Sequence, residues 1–409
     1  MKILSSSLIV SLLLVSASAF AAKPSLHFLA ATANDQVPSQ LQSSVQAKSV
    51  SANLDHKPVS MSWSIDPNVA LDARPVAFQQ HSREYWIDAD ADQLQQGLAL
   101  STSANGALIR LSPHADNKSV IDASTLLFRA NGKLYTSNDA VHMAADQDAL
   151  RAAGMDVPEG SLVVKLADAL GSGRIELVAP TASGSYLVHV FEPASTVVMS
   201  LQAERDTVLA GDSIRISAAI EGATLDRVNG LLSSPDGHSQ DVTFTRQRDG
   251  SYVASVRPDP THAGGFGLWQ IHAFGNASNR QISVPRDARS AFAVSVATAR
   301  LTGSIDRQTG ITRNAGMTLD IGVQSVMPSR YQLAGTLYGT RSDGSLAPAA
   351  VAHSAAWLEA GFGSIKLRFD ASSLSQSGMA APYELRDLRL INQADMSLLE
   401  RRERAASID

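Results

Sequence analysis

Cysteine is absent from all 409 residues. That single absence excludes disulfide staples, thiolate nucleophiles, cysteine-based zinc sites and iron–sulfur ligation. Stability must therefore come from apolar burial, which domains of about 100 residues can supply. Aromatic residues are sparse and no basic stripe or basic–aromatic cluster occurs, so nucleic acid is not an expected partner. After Ala22 no apolar run is long enough to span a bilayer, and no transmembrane anchor is expected in the mature chain.

What is present begins at the N-terminus. Lys2 is followed by an uncharged apolar stretch centred on Leu12-Leu13-Leu14-Val15, and small residues close it at Ala17, Ala19 and Ala21. This pattern reads as a secretory signal peptide cleaved near Ala21, and it predicts a periplasmic or secreted protein. The formal net charge is −5, and loss of Lys2 with the leader makes it −6.

Residues 22–59 are rich in Ser, Ala, Gln and Asn without steady periodicity, and read as a flexible leader. Met61–Ile65 alternates and reads as a first short strand. A β-rich N-terminal domain is expected over 60–194. Its strands include Tyr85-Trp86-Ile87, Leu108–Leu111, Leu162–Leu166, Ile175–Val178 and Tyr186–Phe191. Asn131-Gly132 between two apolar runs marks a hairpin, because both residues tolerate positive φ. One short helical insertion is predicted, with Asp139 as N-cap and Gly154 as its stop. Over 195–297, alternating strands such as Ile214-Ile216-Ala218-Ile220, with turns at Pro235-Asp236-Gly237 and Asp249-Gly250, predict an immunoglobulin-like β-sandwich. A second such sandwich is expected over 298–400, from Leu319-Ile321-Val323 to Leu388–Leu390. Residues 401–409 read as a polar tail.

The residues that could carry chemistry are few. Asp88, Asp90 and Asp92 resemble the opening of a calcium loop, but Gln93 and Ala99 stand where that loop needs glycine and a bidentate acid. They read as a solvated acidic loop, with a cation site as the alternative. His189 and His272 lack a second ligand at metal spacing and read as sheet residues; His262 sits before a Gly264-Gly265 loop. Gly171-Ser172-Gly173 and Gly361-Phe362-Gly363-Ser364 fail the nucleophile-elbow pattern. Gly264–Gly267 lacks the lysine of a phosphate loop. Tyr85, Trp86 and Trp357 read as core aromatics, with glycan or peptide contact as the alternative. No catalytic, cofactor-binding or metal-binding residue is assigned.

Gln96–Leu100 with Gly106–Pro113, followed by Tyr186–Pro193, resembles the DUF4785 family of exported bacterial proteins of uncharacterised function. Tyr331–Tyr338, Ile365–Asp370 and Ala381–Leu388 are similar to sandwich modules of secreted bacterial proteins. The resemblance implies a β-rich N-terminal domain followed by immunoglobulin-like domains, and transfers no site residues. The expected function is a non-catalytic binding or scaffold protein acting on an unknown protein or glycan partner in the envelope or outside the cell. The alternative is a hydrolase or glycan-active enzyme with its site in the N-terminal domain.

Overall fold

The structure is a computed structural model that describes residues 25–44, 50, 53–117, 119–263, 266–280, 283–309 and 316–409. The signal peptide read at Met1–Ala21 lies outside the described residues, as do Gly264 and Gly265. The described residues are mostly β-strand, arranged as several sheets whose pairings are antiparallel except that of Thr207–Leu209, which runs parallel to Ser283–Ser295. Among them no helix is long and apolar enough to cross a membrane.

In the first pair of sheets, strands Glu84–Asp90, Ser185–Phe191, Leu108–Pro113, Leu162–Leu166 and Val141–Asp146 lie side by side. Facing them are Leu98–Thr102, Gly173–Val178, Leu127–Ala130 and Lys133–Thr136. Alternation decides which side chains go inside: Tyr186, Val188 and Val190 are fully buried, and Leu187, His189 and Phe191 face outward. The Asn131-Gly132 hairpin is as expected, with φ of 51° and 74° at the two turn residues and Ala130 opposite Lys133.

The expected helix over Asp139–Ala153 is not one helix. A single turn Ser137–Ala140 leads into the strand Val141–Asp146, and only Gln147–Ala152 is helical beyond it. The cap is Asp146, which accepts from the Ala149 N–H at 2.9 Å. Strand pairing with Leu162–Leu166 along this segment outweighs its local helical tendency. Gly154 does stop the helix: at φ 82° it donates to Arg151 O, and Met155 donates to Leu150 O, closing the last turn.

The second pair sets Thr245–Arg246, Tyr252–Val256, Ile214–Glu221, Val198–Ala203 and Phe78–Ser82 against Ser239–Thr243, Thr224–Ser233, Trp269–Ser278 and Ser283–Ser295. Phe78–Ser82, expected with the N-terminal domain, pairs here with Val198–Ala203. Strand Ser283–Ser295 then meets Glu84–Asp90, so one ten-stranded sheet runs through both pairs. Their cores merge as well: Tyr85, Ile109 and Phe128 belong to the same buried cluster as Trp269, Ile271 and Phe292.

The third pair has its own core, with Leu319, Ile321, Val323, Leu333, Leu367 and Leu390 at its centre. It is built from both ends of the chain. Ser25–His27 pairs with Ala299–Thr309, and Val59–Ser64 pairs with Leu346–Leu358. The described part of residues 22–59 is therefore not a loose leader. Leu26 and Phe28 pack against the core, Leu29 N–H donates to Ala405 O, and Gln36 and Arg401 exchange both backbone bonds. The segment 401–409 is no tail either, since Ser397–Ile408 is a strand paired as far as Tyr383↔Ile408. Arg401, Arg402 and Arg404 give the segment a polar look, but Ala405, Ala406 and Ile408, which follow them, are fully buried.

Candidate functional site at the sheet junction

Between the two halves of the ten-stranded sheet, the ladder joining Glu84–Asp90 to Ser283–Ser295 has one residue pair, Asp287↔Glu84. Side chains on both faces supply the rest of the joint. On the inner face Arg286 and Glu192 are wholly buried. Arg286 Nη2 donates to Glu192 Oε2 at 2.5 Å, Ser103 Oγ at 2.8 Å and Ser195 Oγ at 3.0 Å, while Nε reaches Val197 O at 3.0 Å. Glu192 Oε1 accepts from the N–H groups of Ser103 at 2.5 Å and Ala104 at 2.9 Å. Buried charges persist only when paired and hydrogen-bonded, and here both are. The network is closed, so its role is to weld.

On the outer face Trp86 stands between the flanking strands. His189 stacks on it at 4.8 Å with 8° between planes, and the Arg289 guanidinium lies 4.2 Å from the ring centroid. His272 meets it edge-on at 5.8 Å. His189 Nε2 and Glu84 Oε2 are 2.7 Å apart; Asp287 Oδ2 accepts from Trp86 N at 3.0 Å and lies 3.5 Å from His272 Nε2. Because His189 and Arg289 reach the indole from strands on opposite sides, the ring is no open platform for a sugar. Tyr85, one residue earlier, points into the core, and its hydroxyl bonds both N–H and C=O of Ser101. Burial raises that phenol far above its ordinary pKa.

The acidic triplet does not form a loop. Asp88 ends on the strand near His114, at 3.1 Å. Asp90 caps the helix Ala91–Gln96, accepting from Gln93 N at 2.8 Å while the Gln93 side chain returns the bond to Asp90 N. Asp92 lies in the helix's first turn, where the backbone dipole favours an anion. The strand-to-helix change takes Asp92 off the strand face that Asp88 and Asp90 share. Among the described residues no group of three or more His, Asp or Glu is placed to hold a metal. His262 pairs with Asp236 at 2.8 Å and stacks on His238 at 4.0 Å. Trp357 stacks on His56 at 3.7 Å and donates to Glu359 at 2.7 Å. Gly173 and Gly361 each open a strand, so neither glycine motif forms an elbow.

The two His–carboxylate pairs at the junction were hidden in the sequence because each partner comes from another strand, Glu84 lying 105 residues from His189. The signal was cross-strand alternation, which puts Glu84, Trp86 and His189 on one face. A carboxylate-bound imidazole can serve as a base. Among the described residues no hydroxyl hydrogen-bonds to either imidazole.

Residues 50–192 match the N-terminal domain of DUF4785, a domain of unknown function, and residues 298–409 match its C-terminal domain. The chain belongs to the DUF4785 family. A crystal structure of a DUF4785 protein from Legionella pneumophila superposes with a TM-score of 0.71 over 93% of this chain and 99% of that one. At 18% identity this likeness speaks for the fold alone. Two further structures are trypsin-activated α2-macroglobulin from Escherichia coli and a tetra-tandem repeat in the extending region of a large adhesion protein. The first has a TM-score of 0.19 and 9% identity over 79% of this chain and 30% of that one. The second has 0.17 and 13% over 88% and 83%. Neither score carries an argument. No curated protein matches. The DUF4785 N-terminal match takes in Val59–Ser64, which pairs inside the C-terminal sheets, so the two matched segments interlock.

Proposed function

We propose that this DUF4785 protein is exported to the periplasm or beyond and works there as a non-catalytic binding or scaffold protein. In this reading its sheet pairs act as immunoglobulin-like sandwiches holding surfaces at fixed spacing for an envelope or extracellular partner. The observation that carries it is the junction. Arg286 and Glu192 are buried together with their polar atoms engaged, inside a core shared by the first two pairs. Such a joint favours one orientation, which suits presentation of a surface more than closure around a substrate.

The test immobilises the mature chain, exposes it to envelope and secreted fractions of its source cells, and assays the same protein against glycosidase, esterase and peptidase substrates. Saturable retention without turnover is expected. Turnover abolished by His189→Gln would overturn the reading in favour of the enzymatic alternative, which the 2.7 Å Glu84–His189 contact favours.

A further inference from the structure

A cleft of about 850 Å³ opens at one end of the second pair of sheets. Among a largely polar lining, the half-buried Ile220 and Ala223 give it a small apolar patch above the buried Leu225, and Arg246 and Arg248 stand beside it. The cleft arises where a ladder stops. Strand Ile214–Glu221 pairs with Tyr252–Val256 only as far as Ala218↔Tyr252, but on its other side it runs on to Glu221↔Val198. Past Ala218, the hairpin tip at Gln247–Ser251 no longer follows it. Alternate residues direct their N–H and C=O to opposite neighbours. One side of the Ala219–Glu221 segment therefore faces the cleft instead of a strand.

The charges beside this edge are unevenly engaged. Asp249 is turned into its own hairpin, accepting from Ser251 Oγ at 2.6 Å and Ser251 N at 3.0 Å, which hold its carboxyl below the usual range. Arg246 and Arg248 form no ion pair among the described residues, and both are exposed. Arg215 adds positive charge near Asp249, and Glu221, the last residue of the strand, is exposed. We propose that this cleft binds a short extended peptide bearing carboxylates, which adds a strand beside Ala219–Glu221 and places its acid on Arg246 and Arg248. Strand addition supplies backbone bonds, the guanidinium forks match a carboxylate bidentately, and a peptide side chain on the inward face would meet the patch at Ile220 and Ala223. The cleft volume falls in the range of ligand sites. This inference rests on the binding reading and names one site and one ligand class for it.

The probe is the acetylated pentapeptide Val-Glu-Val-Glu-Val with a free C-terminus, titrated into the isotope-labelled mature protein. Backbone resonances of Ala219, Ile220, Gly250 and Ser251 should shift saturably. The double variant Arg246→Ala/Arg248→Ala should weaken binding by about ten-fold or more while leaving the melting temperature unchanged, because both side chains are exposed. A lysine-for-glutamate peptide should leave the spectrum unmoved. Absence of shifts at millimolar peptide, or equal binding by the double variant or of the lysine peptide, would overturn the proposal. Partner capture that persists without peptide binding would remove this cleft and leave the broader function standing.

Discussion

The first two pairs of sheets and the third are held together by different means. The first two share a buried cluster, a ten-stranded sheet and the Arg286–Glu192 pair, so side-chain chemistry couples them. The third has a separate core and is closed by the path of the chain, because its two sheets take strands from residues 25–64 as well as from 299–408. Coupling by chemistry can be lost through one side chain. Coupling by topology can be lost only by removing chain.

The largest expected effect follows from the second half of that contrast. A chain starting at Pro75 loses Ser25–His27, the Gln36–Arg401 bridge and Val59–Ser64, leaving the edges of Ala299–Thr309 and Leu346–Leu358 open. Calorimetry should show the transition of the third pair falling by more than about 10 °C, equivalent to roughly 2 kcal/mol or more for about 100 residues. The transition of the first two pairs should stay in place. A single transition that fell as a whole would show that the separate cores do not melt separately.

The next effect tests the chemical coupling. Arg286→Ala leaves Glu192 buried without its cation, and breaking such a pair costs about 3–5 kcal/mol. Here the first two pairs should be destabilised and the third spared, the mirror image of the truncation. Replacing both residues by methionine should recover most of the loss, since an apolar pair of similar volume carries no stranded charge. A double variant as unstable as the single one would mean that the bonds to Ser103, Ser195 and Val197 matter more than the charge.

Much of the architecture was legible in the sequence because alternation is local. Leu319, Ile321 and Val323, or Ile365, Leu367 and Phe369, state their buried face within a few residues, and the structure buries them. Partnership is not local. Nothing near Met61–Ile65 says that its neighbour is Leu346–Leu358, and nothing near Ser25–His27 announces a strand, since Leu26 and Phe28 are only two apolar anchors in a polar stretch. The same limit hid the junction. Glu192 and Arg286 are 94 residues apart, and each alone reads as a surface charge. The cleft at Arg246 and Arg248 was half visible: the Asp249-Gly250 turn could be read, but where the facing ladder stops could not.

The smallest effect sharpens the comparison through pH. Within the third pair, Glu384 accepts from Arg404 Nε at 2.7 Å and Nη2 at 2.8 Å, and from Arg386 Nε at 2.7 Å. Hydrogen bonds from Arg404, then Arg386, outweigh burial and hold its carboxyl below the ordinary 4.5. Glu400, on the neighbouring strand, is pushed the other way, because burial outweighs its bonds from Leu301 N and Arg402. The signs therefore differ. A depressed carboxyl contributes stability that is present above the unfolded pKa near 4.5 and is lost as pH falls through the folded value. A raised one costs stability once it must ionise, and protonation relieves that cost. Glu384→Gln should thus lower the third transition at pH 7 by about 1 kcal/mol, a modest figure because Arg404 is half exposed and solvent screens the pair. At pH 3 the variant and the parent should converge. A difference that stayed constant from pH 7 to pH 3 would show that the glutamine disturbs packing instead of charge, and the third pair would then owe its cohesion to chain path and core alone.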